Sequence, residues 1–273
     1  MSVLVTGGTG KTGRRLIDLL RTKEVEAHAA SRYSHGGRYF DWHTPASWNA
    51  ALEGVTAAYL VAPPGDSAAA VIDFCIHAQE RGVRRFVLLS ASLLSAGGPA
   101  QGKVHEWLAA NVAEWGVLRP SWFMQNFSEG PHAATIRAED CIYSAAESGR
   151  VGFISADDIA ASAAAMLTSV DAPNTDAVLT GPQAISYDTA AATLSETLGR
   201  SIRHVGIDAE DLAARHRAAG MLPIAAQILA GMDVLIARGA EDRTTDGVES
   251  FTGVKPIAFG DFCHASVKAW ERQ

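Results

Sequence analysis

The sequence predicts an α/β protein, a doubly wound parallel sheet with a smaller C-terminal α/β lobe, on three observations. Strand-like apolar runs alternate with helix-period segments through the first half of the chain. An inner run such as Ala57-Ala58-Tyr59-Leu60-Val61-Ala62 is apolar at nearly every position, as a parallel strand covered on both faces is. The first run, Val3 to Thr6, enters a glycine-rich turn and then an amphipathic segment with Leu16, Ile17, Leu19 and Leu20 spaced for one helical face.

That first turn, Gly7-Gly8-Thr9-Gly10-Lys11-Thr12-Gly13, has a physical use for each spaced glycine. Gly7 lets the backbone leave the strand sharply, Gly10 has no Cβ to hold a pyrophosphate off the helix N-terminus, and Gly13 lets helix and strand pack closely. Strand, glycine turn and helix N-terminus together form a phosphate loop, so the segment reads as a dinucleotide site in which Thr9, Lys11 and Thr12 also take part. The Gly-x-x-Gly-x-x-Gly spacing is similar to that of the short-chain and extended reductases. Residues 25–30 read as the second strand, and at its tip, about 20 residues beyond the glycines, stand Ser31 and Arg32. An acid there would bond the ribose 2′-OH of NAD and repel a 2′-phosphate. Arg32 offers a phosphate a bidentate partner and Lys11 adds a second cation, which selects NADP(H).

The other elements follow in order. Residues 38–42 read as a short third strand, 47–52 as a helix ending before Gly54, and 57–62 as the fourth strand, ended by Pro63-Pro64-Gly65. A helix from Ala68 to Arg81 stops at Gly82; Arg85 to Ser90 is the fifth strand, 104–112 a helix and Gly116 to Pro120 the sixth strand. Ligands of such sheets bind beyond the carboxyl ends of the strands, which adds Asp41, Trp42, Ala62, Pro63, Ser90 and Pro120 to the cofactor-lining set. Further on, a strand is expected at 150–154, a helix at 159–167 capped by Ser155 to Asp158, and a further sheet strand at 177–182. The remainder reads as a helix near 187–198, a strand at 202–207, helices near 212–219 and 223–237, and closing helical segments at 247–253 and 259–270.

With 273 residues, 48% of them hydrophobic, the chain can bury one large core or a core with a smaller lobe, which excludes a disordered or fibrous protein. A net charge of −7 without a run of Lys or Arg argues against nucleic acid. There is no apolar stretch long enough for a bilayer and no secretory segment, so no membrane partner is expected and the cytoplasm is the expected compartment. The three cysteines, Cys75, Cys141 and Cys263, are far apart and read as buried thiols, and the nine histidines show no His-Glu-x-x-His spacing, so no metal is expected. The expected partner is a small-molecule substrate; a homodimer is compatible with the chain, whose oligomeric state the sequence leaves open.

With these residues in view, the chain resembles the NmrA-like branch of the atypical short-chain dehydrogenases. The matching stretches are Thr6 to Gly13, Leu118-Arg119-Pro120-Ser121-Trp122-Phe123-Met124-Gln125-Asn126-Phe127, Asp157-Asp158-Ile159-Ala160, Leu179-Thr180-Gly181-Pro182 with Ile185-Ser186-Tyr187, and Phe251-Thr252-Gly253. Within that branch it looks most like the NADPH-dependent quinone reductases and the festuclavine-synthase-like reductases of the ergot-alkaloid pathway, which reduce a cyclic iminium. The resemblance implies a Rossmann-like core over residues 1–125, completed by about 150–182, that holds NADPH. It implies a substrate lobe over 126–149 and 183–273. The family also includes cofactor-binding regulators that turn over nothing, so a non-catalytic NAD(P)-binding redox sensor stays open beside the reductase.

Short-chain dehydrogenases that reduce ketones protonate the alkoxide with a Tyr-x-x-x-Lys pair. Here Tyr33, Tyr39, Tyr59, Tyr143 and Tyr187 are followed four positions on by Gly37, His43, Pro63, Glu147 and Ala191. The missing pair shifts the expectation toward an iminium, which becomes a neutral amine on taking hydride, or a quinone, whose hydroquinone anion water can protonate. Candidate catalytic residues are His105, on the helix where related reductases keep their Lys, and Ser92 after the fifth strand. Substrate contacts are expected from Trp122, Phe123 and Tyr143 as flat apolar walls and from Asn126 by the family motif; Phe127, Phe153, Met221 and Met232 could extend the wall.

Overall fold

The computed structural model describes residues 1–32, 36–63, 65 and 67–272; Tyr33 and Pro64 fall outside them. Its strands are β1 (Ser2–Thr6), β2 (Glu26–Ser31), β3 (Arg38–Tyr39), β4 (Ala57–Val61), β5 (Arg85–Leu89), β6 (Glu114–Pro120), β7 (Cys141–Ser144), β8 (Arg150–Val151), β9 (Thr175–Leu179), β10 (Ile185–Ser186) and β11 (Arg203–Gly206). The helices are α1 (Lys11–Thr22), α2 (Trp48–Ala51), α3 (Ala68–Glu80), α4 (Gln101–Asn111), α5 (Gln125–Ser128), α6 (Pro131–Glu139), α7 (Ala156–Thr168), α8 (Tyr187–Leu198), α9 (Ala209–Ala218), α10 (Pro223–Ala237), α11 (Gly247–Thr252) and α12 (Phe259–Ala265). Among the described residues no helix is long and apolar enough to cross a membrane.

The chain forms two compact units. The first comprises Met1–Pro120, Ala156–Leu179 and Gly247–Val254. Its seven-stranded sheet has the order β3-β2-β1-β4-β5-β6-β9 with every pair parallel, the Rossmann-like α/β fold the sequence predicts. The order reverses between β1 and β4, and there Thr6 Oγ1 donates to Tyr59 O (3.0 Å) and accepts from Val61 N (2.7 Å), locking the two strand ends together. β3 is shorter than expected. After Tyr39 the chain turns, because the Asp41 carbonyl is taken by Trp48 Nε1 (3.0 Å) instead of a neighbouring strand. Arg85, at the foot of β5, holds α7 onto the sheet: its guanidinium is 7% exposed and donates to Met166 O, Leu167 O and Ser169 O while pairing with Glu114 at 2.8 Å. It thereby caps the carbonyls that end α7.

The second unit comprises Ser121–Ser155, Thr180–Asp246 and Lys255–Gln273. The core therefore breaks at Pro120, not at 125, and residues 150–155 and 180–182 leave it. β8 is only Arg150–Val151 and pairs antiparallel with β10, away from the large sheet; Ile154 makes an isolated bridge to Phe123. Conversely 247–254 joins the first unit, where a Cβ on Gly247 would lie 2.7 Å from Val178 O. A parallel pair of β7 and β11, the former unforeseen, lies in the second unit. Its core is a cluster of aromatic rings, with Phe127 centred 5.1 Å from both Phe153 and Phe259, and Phe153 centred 5.4 Å from Tyr187. The three cysteines are free and buried.

Replacing Arg85 by Met leaves Glu114 and three carbonyls without their shared donor. We expect Arg85→Met to lower stability in urea unfolding by about 1–3 kcal/mol, the cost of leaving the buried Met166 and Leu167 carbonyls without a donor. Arg85→Lys, which keeps the charge without the planar fork, should lose less.

Candidate functional site

The glycine turn is built backbone on backbone. Gly7 adopts φ +63°, a conformation that favours glycine, and Gly10 N donates to Gly7 O at 2.8 Å. A Cβ on Gly13 would fall 2.3 Å from Gly7 O, and one on Gly8 would fall 2.7 Å from Ala29 Cα. Gly8, which the sequence leaves without a role, is thus required by the approach of β2. Thr12 is buried and its Oγ1 accepts from Tyr59 Oη at 3.3 Å.

Beyond the turn lies a cavity of about 360 Å³ at the point where the strand order reverses. Of the expected cofactor residues, Gly7, Thr9, Ser31, Arg32, Asp41, Trp42, Ala62 and Pro63 line it together. Ala30, Phe40, His43 and Val61 complete the wall without having been foreseen; His43 follows Asp41 in sequence, the only local signal for it. Gly10, Lys11, Thr12 and Gly13 sit behind this surface, at and after the start of α1. Ser90 and Pro120, at the ends of β5 and β6, do not line this cavity. Ser90 Oγ is buried without a hydrogen-bond partner among the described residues. Two of the lining rings, Phe40 and Trp42, pack edge-on against Phe74 with centroids 5.1 and 5.3 Å away, and Trp48 packs on the same ring at 5.5 Å. Asp41 is occupied by its own turn, accepting from His43 N at 3.0 Å. Arg32 is exposed and has no hydrogen-bond or ion-pair partner among the described residues.

The candidate acid His105 is buried, 4% exposed, and lines none of these cavities. Its Nε2 lies 3.9 Å from Asp176, whose carboxylate is already paired with Arg119 at 2.8 Å, and its Nδ1 has no hydrogen-bond partner. Burial, with Arg119 adding to it, depresses the imidazole pKa against the pull of Asp176. His105 is therefore a neutral ring beside a half-buried ion pair. Ser92 is also buried; its N donates to Pro120 O at 2.9 Å and its O accepts from Arg119 at 3.0 Å.

Within the second unit, Trp122 and Asn126 open on one cavity of about 110 Å³ together with His132, Tyr187, His216 and Asp233. Phe123 is half-buried at its bridge to Ile154, and Phe127 and Phe153 belong to the packed core. Tyr143 is absent from this cavity: its Oη donates to Glu139 at 2.7 Å and the Arg215 guanidinium lies 3.5 Å over its ring, so surface charges absorb both its polar and its flat parts. The sequence reading missed Asp233. It is 5% exposed; its Oδ2 accepts from Ala145 N at 2.9 Å, and burial pushes its pKa up to about 6. The one signal for it was a carboxylate in the middle of the apolar helix α10. Burial likewise lowers the pKa of His216. Among the described residues no cluster of His, Cys, Asp or Glu could hold a metal ion.

A parallel sheet that reverses its order beside a glycine turn and a cavity defines a Rossmann-like α/β protein. No model of a protein family matches the chain. Among solved structures, the NADPH-dependent quinone oxidoreductase of Escherichia coli, complexed with NADPH, is similar over 96% of this chain and 99% of its own, with a TM-score of 0.81 at 22% identity. The agroclavine dehydrogenase of Claviceps fusiformis is 41% identical over 99% of both chains. The festuclavine dehydrogenase of Aspergillus fumigatus is 38% identical over 100% of both. The chain belongs to the same family of oxidoreductases as these enzymes, the NmrA-like, atypical short-chain dehydrogenase class.

The buried carboxyl makes stability depend on pH. The Asp233 pKa is raised in the folded state, so ionising it costs nothing at pH 4 and its full penalty above about pH 6. We expect Asp233→Asn to match the parent in urea unfolding at pH 4 and to exceed it at pH 8 by up to ~3 kcal/mol.

Proposed function

We propose that the chain is an NADPH-dependent reductase that passes hydride to a flat, conjugated small molecule, a quinone or a cyclic iminium ion. The observation that carries the cofactor choice is Arg32, exposed and unpaired among the described residues, on a cavity shared with Gly7 and Thr9 and lacking an acid at the tip of β2. The residues fit such a group. Arg32 would grip the 2′-phosphate, and α1, whose N-cap Gly10 supplies no side chain, would turn the N–H groups of its first turn toward the pyrophosphate. A Cβ on Gly10 would stand 3.1 Å from Gly7 O, so any larger residue would crowd the turn that the phosphates approach. NADPH supplies the hydride.

The acceptor class rests on the clavine dehydrogenases that share the chain's whole length and on the absent Tyr-x-x-x-Lys pair. An iminium carbon that takes hydride yields a neutral amine and needs no proton in that step. The residues of the chain then have only to orient the acceptor and exclude water. On this reading the first unit is the cofactor domain and the second the substrate lobe.

Two measurements test the reading. Purified protein should oxidise NADPH with quinones or cyclic iminium ions and not with plain ketones; tight NADPH binding without turnover on any of them would replace the reductase by a redox sensor. Arg32→Ala should weaken NADPH by roughly 10–100-fold, the loss of a charge-assisted phosphate contact, and change NADH by less than about twofold. Equal losses for the two cofactors would remove Arg32 from 2′-phosphate recognition.

A further inference from the structure

Asp233 lies in the middle of α10, a helix otherwise almost wholly apolar, and its carboxyl is 5% exposed. One oxygen is engaged by the backbone of β7, through Ala145 N at 2.9 Å. The other takes no hydrogen bond from the described residues, and Asp233 is part of the wall of the 110 Å³ cavity. A buried carboxylate is retained at this cost only where a charge or a set of donors meets it. The titratable groups that share the cavity are Tyr187 of α8, His216 of α9 and His132 of α6, and His204 of β11 stacks on Tyr187. Among the described residues no Lys or Arg lines it. His216 is held neutral by its burial, so it supplies no fixed counter-charge. Trp122 and Tyr187 are the aromatic residues of the wall, and their rings attract cations through their π faces.

We propose that this cavity is a subsite for the cationic nitrogen of the substrate, an iminium or ammonium group carried on a single ring, with Asp233 as its counter-ion and Trp122 and Tyr187 as its aromatic walls. A volume near 110 Å³ admits one small ring and not a polycyclic molecule, so the rest of the substrate lies outside it. The inference rests on the reductase reading only in taking the cation to be the acceptor's reactive end. Asp233 is ionised near neutral pH and becomes protonated below about 6, so the subsite should lose its charge, and its cation, as the solution is acidified.

The test uses N-methylpyrrolidinium chloride as probe and cyclopentanone as the uncharged control of similar size, titrated calorimetrically into the parent, Asp233→Asn and Asp233→Ser, each of which keeps an acceptor for the Ala145 N–H. The parent should bind the cation about tenfold more tightly at pH 7.5 than at pH 5, and each variant should lose at least tenfold at pH 7.5 and retain no pH dependence, with no difference among the proteins for cyclopentanone. Should one variant fail to fold, the other and the parent's own pH dependence still decide. Equal cation binding by parent and variants, no binding by the parent, or an undiminished pH dependence in the variants would overturn the proposal; the last would transfer the titration to His132 or His216. In steady state, Asp233→Asn should raise KM for a cyclic iminium at least tenfold and leave KM for a neutral quinone within about twofold, and equal effects on both would overturn it too. Cation binding that follows Asp233 in a protein that turns over neither acceptor would defeat the reductase reading and leave the subsite standing.

Discussion

The contact between Gly13 and the carbonyl of Gly7 sets the geometry of the first unit. With hydrogen in place of Cβ, α1 comes down against the end of β1 at a distance no side chain permits, since an added Cβ would stand 2.3 Å from that oxygen. The same closeness at Gly8 brings in β2, whose Ala29 backbone would meet a Cβ at 2.7 Å. Two strand ends and a helix start are thereby gathered around one turn, and Thr6 ties β4 to them through both its donor and its acceptor. The cavity is what remains in front of these converging backbones. Its far wall is set separately, by the aromatic packing of Phe40, Trp42 and Trp48 on Phe74.

This explains what could be read from the sequence and what could not. Strand β4 and helix α1 announce themselves because burial on both faces or on one face imposes a local period. The glycine turn and the tip of β2 are local as well, so residues 7 to 13 and Arg32 can be assigned to one site before any fold is seen. Short elements lack such a signature. β3 stops at Tyr39 because a tryptophan seven residues beyond Asp41 captures a carbonyl, and β7 is four residues behind an unremarkable helix. The return of 247–254 to the first unit is not marked by composition; it depends on a glycine fitting against Val178 O.

His105 and Asp233 show why titratable residues are the least legible. His105 stands on a helix in the right part of the chain for a proton donor. Yet Arg119, from the Leu118 to Phe127 motif, spends its charge on Asp176 and on the Ser92 carbonyl, leaving His105 beside a carboxylate that is already paired. Asp233 has no motif, and its surroundings come from Trp122, α5, α6, α8 and α9, separated from it by between 17 and 111 residues of chain. Environment, not sequence position, decides which of the two is perturbed toward chemistry near neutral pH.

The two cavities carry opposite charge problems. The one in the first unit presents a guanidinium with no partner among the described residues, and the one in the second presents a carboxylate with a free oxygen. A fold with no further task for these groups would pair such charges internally or replace them by apolar side chains at little cost. The guanidinium remains solvated and costs nothing to keep, but the carboxylate is buried and destabilises the protein at every pH above its own ionisation. On the proposed reading an anionic ligand suits the first cavity and a cationic one the second. The amine formed by hydride transfer takes a proton from water near neutral pH, so on the proposed reading Asp233 would hold product as well as substrate, and that hold would weaken as the carboxyl is protonated below about pH 6.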